Sequence, residues 1–176
     1  VLTTKGRLLA ELAAYGMPDA VVIDLQRDRA ETVRAAFDRH IIADDVRVED
    51  VTDRFARLTV AGPAAAGIVT RATGADVAAL APWGHREGRI GDAPVRIAAS
   101  RWLRMPAFEL AAPVEHAERM WEALARDREA LRPVGMTALE WLRVEAGWGL
   151  FGIDYDEETL LLEALTTEHV SFTKGC

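Results

Sequence analysis

The spacing of apolar residues switches several times along this chain between the period of a strand and the period of a helix. These switches limit the folds that the chain can adopt. Residues 54–62, "RFARLTVAG", alternate apolar and polar positions as a strand does, whereas residues 63–74 repeat at helical spacing and end at a glycine. Strand-like runs return in residues 93–103 and 106–112, and a helical stripe follows from Pro113. Strand, helix and strand recur about three times, with antiparallel pairs between. The pattern predicts an α+β fold, with mixed, largely antiparallel sheets and helices packed on one face.

Shorter segments complete this reading. Residues 1–12 form two apolar runs around Lys5-Gly6, which predicts a hairpin whose glycine lies in the turn. Residues 20–25 are a continuous β-branched run typical of a buried strand. Residues 45–51, "DVRVEDV", alternate and predict another strand, whereas residues 81–91 are rich in Gly and Pro and predict a loop.

The segment "GMTALEWLRVEAG" carries the most complete set of helix signals in the chain. Thr137 and Glu140 have the spacing of a capping box, and Met136 and Trp141 lie where a hydrophobic staple would close. Gly147 follows where the helix should stop. We expect a helix here that starts at this box and ends at this glycine.

Composition narrows the functional classes. The 176 residues suit one compact domain or two small ones, and the net charge of -7 argues against a general nucleic-acid binder. The single cysteine favours a reducing compartment, and no apolar run has the length that a membrane span requires. The first residue is not methionine, so we expect both ends to be cut from a longer protein.

Sequence patterns alone do not single out an active site. The four histidines are scattered without metal-ligand spacing, so no metal site built by this chain is predicted. A Gly-x-Ser-x-Gly elbow and a Gly-rich phosphate loop are both missing from the sequence. With 28 acidic residues, any chosen pair of carboxylates would be arbitrary.

Three segments, taken in order, point to a known family. They are "LTTKGRLLAEL", "AFELAAPVEHAERMWEAL" and "LRVEAGWGLFGIDYDEETLLLEA" running into "VSFTKGC". Together they resemble the YgfZ family, folate-binding proteins linked to iron-sulfur cluster assembly and related to the aminomethyltransferase of the glycine cleavage system. The resemblance covers residues 1–176 and implies the aminomethyltransferase folate-binding fold, incomplete at the N-terminus and without the family's C-terminal barrel domain.

The end of the chain carries the most diagnostic part of the resemblance. Lys174, Gly175 and Cys176 match the start of the family motif, which continues with an aromatic residue, any residue and Gly-Gln-Glu. The resemblance implies that these three residues form a functional loop. A lysine and a flexible glycine beside the thiol would favour its thiolate form, and the alternative is an ordinary free cysteine.

Two further positions follow from the resemblance. It implies that Glu109, in the Phe-Glu-Leu strand, holds the pterin ring of tetrahydrofolate or a derivative, and that Arg143 lies near the folate's carboxylate end or lines its cavity. The alternatives are an exposed strand residue for Glu109 and an ion pair with Glu140 for Arg143. Ala107 stands where the family often has glycine.

The function implied first is a folate-binding accessory protein that supports assembly or repair of iron-sulfur proteins, with those proteins as partners. The second is an aminomethyltransferase-like enzyme that transfers a one-carbon unit to tetrahydrofolate, and the third is an interaction module that binds no folate. We expect the bacterial cytoplasm, or otherwise the mitochondrial matrix, and neither direct nucleic-acid nor membrane binding. The folate form, the client proteins and the oligomeric state stay open.

Overall fold

The computed structural model describes residues 1–126, 130–164, 171 and 173. The chain divides into two compact units, one formed by Val1–Asp50 with Gly149–Cys176 and the other by Val51–Trp148. The first unit contains strands β1 (Leu12–Gly16) and β2 (Val21–Leu25) and helix α1 (Ala30–Asp38). The second contains β3 (Phe55–Ala61), α2 (Ala65–Thr73), β4 (His85–Ile90), β5 (Ala93–Ser100), β6 (Ala107–Pro113), α3 (Ala117–Ala125) and α4 (Met136–Ala146).

The second unit is built on a four-stranded antiparallel sheet. Its strand order is β3-β6-β5-β4, so the last strand along the chain lies between the first and the third. Helices α2 and α3 contribute buried residues to one core with this sheet, which confirms the predicted α+β class with helices on one face. The buried core consists of Val60, Ala65, Ile68, Val69, Ala75, Val77, Ile90, Val95, Ile97, Ala99, Phe108, Leu110, Ala112, Met120 and Leu124.

The first unit contains an antiparallel pair of strands and a small buried cluster. Strands β1 and β2 pair from Leu12 opposite Leu25 to Gly16 opposite Val21. Leu8, Phe151 and Tyr155 form the buried cluster. Near the start of the chain, Gly6 has a φ of 76° and its N–H donates to the Thr3 carbonyl, so the predicted glycine turn is confirmed.

The strand predicted at residues 20–25 forms as β2, but it is not a buried strand, since none of its residues is buried and Val21 is exposed.

Two other segment predictions are wrong because strand formation depends on a pairing partner. Residues 45–51 alternate in polarity, but residues 45–50 form no strand and pair with none. Residues 85–90, inside the predicted loop, form β4 because β5 supplies a complete antiparallel partner from Ala98 to Ala93. Pairing with a neighbour outweighs local strand preference.

Helix α4 ends as predicted but does not begin or pack as predicted. Its N-cap is Gly135 without a side-chain cap, so the capping box is wrong, and Met136 and Trp141 are exposed rather than closed as a staple. At the other end, Gly147 adopts a φ of 71°. Its N–H donates to the carbonyl of residue 144, and the N–H of residue 148 donates to that of residue 143, which is a Schellman motif.

No helix within the described ranges has the length and apolar character that crossing a membrane requires.

We expect Gly88→Ala to lower the free energy of unfolding by about 1–3 kcal/mol, because the new methyl group overpacks the core. A Cβ at position 88 would lie 2.9 Å from Ile97 Cδ1, 3.0 Å from Thr73 Cβ and 3.1 Å from Ala75 Cβ. Urea denaturation measures the change. Gly16→Ala is the control, since nothing lies within 4 Å of its Cβ, and its effect should stay within about 0.5 kcal/mol. Equal free energies of unfolding for the two variants would contradict the close packing of Gly88 against Ile97, Thr73 and Ala75.

Candidate functional site

Strand β6 presents two chemically different faces. Its even-numbered residues, Phe108 and Leu110 among them, enter the core beneath the helices. Because side chains alternate along a strand, Ala107, Glu109 and Ala111 point to the opposite face. Glu109 is the one charged residue of this strand, and it lies between two small neighbours.

The Glu109 side chain is held by its neighbours across the sheet. Glu109 lies opposite Thr59 on β3 and Ala98 on β5. Its Oε2 accepts a hydrogen bond from Nη2 of Arg57, which forms an ion pair with it. Only 16% of the Glu109 side chain is exposed, and Ala98 is fully buried. The carboxylate is therefore enclosed, which strengthens any hydrogen bond it accepts.

We call the set of Thr59, Ala98, Ala107, Glu109 and Ala111 the carboxylate face. Its two ends differ in charge. At the Ala111 end, Arg57 and Arg96 lie opposite on the two neighbouring strands, and at the Ala107 end their places are taken by Ala61 and Ser100. The residues around its single carboxylate are small, and the carboxylate can accept hydrogen bonds from a group with paired donors. The Ala111 end of this face is basic.

The structure gives Arg143 a set of partners within its own helix end. Its Nε donates to Oε2 of Glu140 over 2.9 Å, Nη2 donates to Oε1 of the same residue, and Nη1 donates to the Trp148 carbonyl over 2.6 Å. Arg143 is 5% exposed, whereas the Glu140 side chain is 42% exposed. The ion pair considered as the alternative for Arg143 is thus present, with the guanidinium buried rather than on the helix surface.

A chain of contacts connects this helix end to β5. The Trp148 ring lies 6.2 Å from the Trp83 ring, centroid to centroid, at 49°. The Trp83 N–H donates to the Ala99 carbonyl over 3.2 Å, next to Ser100. Trp83 has a φ of 62°, a left-handed conformation that is rare for an aromatic residue. Arg143 and the Ser100 end of β5 are therefore parts of one connected region.

A cleft of about 650 Å³ lies on the other side of the sheet. Residues of α2, α3 and the β4–β5 turn line it, including Arg71, Arg119 and Glu122. Neither Glu109 nor Arg143 contributes to its lining. The cleft opens on the helix side and its carboxylate, Glu122, is exposed. We assign the candidate site to the carboxylate face because Glu109 is enclosed there.

Lys174, Gly175 and Cys176 lie outside the described residues, so the structure does not bear on the predicted Lys-Gly-Cys loop. Within the described part of the chain, no group of three or more His, Cys, Asp or Glu side chains is arranged to hold a metal ion.

The sequence reading missed Arg57 and Ser100. Both lie in segments that the sequence correctly marks as strands, and the period of two predicts which residues share a face within each strand. What it does not predict is that β6 lies between β3 and β5 with Glu109 opposite Thr59 and Ala98. The alternation of side chains along β3 and β5 could have indicated Arg57 and Ser100. Using it requires the strand order, which only the structure supplies.

Comparison with known proteins gives consistent matches. The profile of the GCVT N-terminal domain matches residues 1–174. The aminomethyltransferase of Chlorobium phaeobacteroides is 37% identical over 180 residues, covering 99% of this chain and 49% of that protein. The aminomethyltransferase of Streptomyces coelicolor is 30% identical over 172 residues, covering 96% and 46%. The chain spans about half the length of these curated relatives.

A solved structure shares the fold. The glycine cleavage system aminomethyltransferase T from Bartonella henselae matches with a TM-score of 0.81 and covers 98% of this chain and 46% of its own. The two sequences are 23% identical, so this likeness supports the architecture alone.

Proposed function

The chain belongs to the GCVT N-terminal domain family, and on that premise we propose that it binds tetrahydrofolate or a derivative, with Glu109 as the carboxylate that holds the pterin ring. The observation that carries the proposal is the enclosed position of Glu109 among small residues on the carboxylate face. A carboxylate accepts two hydrogen bonds in parallel, which matches the paired N–H donors at the edge of a pterin.

The charges around Glu109 fit this ligand. Among the described residues, Arg57 is the side chain that bonds the carboxylate, and it does so through Oε2. Its guanidinium forms an ion pair with Glu109, and its own side chain is 44% exposed and so adjustable. Ala98 and Ala107 are the small residues beside the carboxylate on this face, and both are buried.

Arg143 is the proposed partner for the carboxylate end of the folate. Its Nε and Nη2 already bind a carboxylate side by side, that of Glu140. A guanidinium fork of this geometry recognises carboxylates in general, and Glu140 is exposed enough to yield its place to a ligand carboxylate. The bond from Nη1 to the Trp148 carbonyl would stay and keep the fork in position.

For the whole protein, we propose an aminomethyltransferase-like role in which a one-carbon unit is transferred to tetrahydrofolate. Two relatives with this name match almost the entire chain, which supports this role over the accessory one. The bound folate would supply the nitrogen atoms that carry the one-carbon unit. The residues of this chain would bind the folate, orient its ring and exclude water from it.

Two measurements on the full-length protein test this proposal. Calorimetric titration should show saturable binding of tetrahydrofolate, and a one-carbon transfer assay should show turnover that depends on it. A protein that binds no folate derivative would instead be the interaction module considered from the sequence. Binding without turnover would remove the enzyme role and leave the folate site.

A second candidate function is the folate-binding accessory role in assembly or repair of iron-sulfur proteins. The observation that favours it is the Lys174-Gly175-Cys176 sequence. We expect the full-length protein to continue with an aromatic residue, any residue and Gly-Gln-Glu if this role is correct.

For that accessory role, we expect Cys176→Ala to abolish complementation of a deletion strain, measured as the activity of an iron-sulfur enzyme in cell extracts. A thiol that reacts as thiolate has no substitute in alanine, so the loss should be nearly complete. Ser171→Ala, which lies in the same segment, is the control and should complement fully. Full complementation by Cys176→Ala would exclude the accessory role while leaving folate binding untouched.

A further inference from the structure

The hydroxyl of Ser100 is an unexplained polar group next to the carboxylate face. Its Oγ is buried and has no hydrogen-bond partner among the described residues. Another buried hydroxyl in the same unit is satisfied, since Thr73 Oγ1 donates to the Val69 carbonyl over 2.7 Å and accepts from the Ala75 N–H over 3.3 Å. A buried hydroxyl without a partner destabilises a fold, so its presence calls for another explanation.

The strand register places Ser100 beside Glu109. Ser100 lies opposite Ala107, and Ala98 lies opposite Glu109. Ser100 and Glu109 are therefore diagonal neighbours on one face of an antiparallel pair, a relation in which the Cα atoms are about 7–8 Å apart. One flat ring that accepts a hydrogen bond at one point and donates at another spans such a gap.

The two side chains also complement each other chemically. An ionised carboxylate only accepts hydrogen bonds, whereas a serine hydroxyl also donates one. The pterin ring of a folate presents two N–H donors, from the 2-amino group and N3, beside an acceptor, the 4-oxo group. Glu109 alone would leave that acceptor without a donor.

We infer that Ser100 Oγ donates a hydrogen bond to the 4-oxo group of a pterin held by Glu109, which makes Ser100 a specificity-determining residue. This inference rests on the proposed folate site. It assigns the hydroxyl a partner and predicts that the site selects 4-oxo pterins over rings without that oxygen.

The test compares two ligands on the full-length protein and its Ser100→Ala variant. The ligands are tetrahydropterin and an analogue that lacks the 4-oxo group, and calorimetry measures both dissociation constants. We expect Ser100→Ala to weaken tetrahydropterin binding about two- to tenfold and to change binding of the analogue less than twofold. Any altered contact between Glu109 and the analogue is common to both proteins and cancels in the comparison.

Stability provides a second readout with a matched control. Without ligand, Ser100→Ala should unfold at the same or a higher urea concentration than the wild type, because it removes an unsatisfied hydroxyl. Thr73→Val removes a satisfied hydroxyl on the helix side, so it should unfold at a lower concentration and bind both ligands as the wild type does.

Equal affinity of Ser100→Ala and wild type for tetrahydropterin would overturn the inference, since the hydroxyl would then make no bond to the 4-oxo group. An equal loss for both ligands would also overturn it, since the effect would not depend on the 4-oxo group. If the wild type itself binds neither pterin nor tetrahydrofolate, the proposed function is wrong and the inference falls with it.

Discussion

Replacing Glu109 by glutamine is expected to weaken tetrahydrofolate binding by about 10- to 100-fold. Hydrogen bonds to a charged group contribute about 1.5–3 kcal/mol, and the amide of glutamine offers one acceptor and a competing donor in place of two acceptors. The side chain keeps its size, and it stays enclosed on β6 between Thr59 and Ala98. Calorimetric titration of the full-length protein measures the loss.

The control for this prediction is Glu87→Gln on β4. Glu87 lies on the same side of the sheet but on the edge strand, opposite Arg96, with β5 between it and Glu109. Its replacement should leave the dissociation constant unchanged. If Glu109→Gln and Glu87→Gln bind tetrahydrofolate equally well, the Glu109 carboxylate does not bind the ligand.

Replacing Arg143 by methionine is expected to lower the free energy of unfolding by about 2–3 kcal/mol. The buried guanidinium donates hydrogen bonds to both carboxylate oxygens of Glu140 and to the Trp148 carbonyl, and its loss leaves that carbonyl without this donor. This loss of stability is smaller than that expected for a fully buried ion pair, because Glu140 is partly exposed and its carboxylate can be hydrated once Arg143 is removed. Urea denaturation monitored by circular dichroism measures the change.

Arg104→Met is the matched control, since Arg104 is exposed and its Nε donates one bond of 3.2 Å to the Ala146 carbonyl at the same helix end. Its effect on unfolding should stay within about 0.5 kcal/mol. A comparison of ligands isolates the proposed folate contact. Arg143→Met should weaken binding of tetrahydrofolate, which carries a carboxylate end, and spare tetrahydropterin, which does not. Equal effects on both ligands would leave Arg143 a purely structural role.

The sequence predicted most elements of the second unit because their signals agree at several levels. Residues 54–62 alternate and form β3, and residues 106–112 include the start of β6. Gly74 ends α2 with a φ of 70°, as its position after the helical repeat predicts. Glycine stops are predictable because the left-handed conformation they adopt is costly for other residues.

The failures share a different physical cause. Strand β4 contains "HREGRI", whose charges and glycine disfavour a strand locally, yet β5 supplies its ladder and Gly88 lets it approach the core closely. In α4, Arg143 is buried while Trp141 and Val144 are exposed, the reverse of what side-chain polarity predicts. Hydrogen bonds from Arg143 to Glu140 and to the Trp148 carbonyl offset the cost of burying its guanidinium. Such partners belong to tertiary structure and are not visible in local patterns.

The alternation along β6 also bears on how homologous sequences can change in length. A slip of one residue in this strand would carry Leu110 out of the hydrophobic interior and bring Glu109 into it. An insertion within residues 107–113 would therefore disrupt both the core and the proposed ligand contact of Glu109. Residues 101–106, which connect β5 to β6, carry no such parity constraint. Natural variation in length should therefore collect in that connection, while the strand itself keeps its residue count.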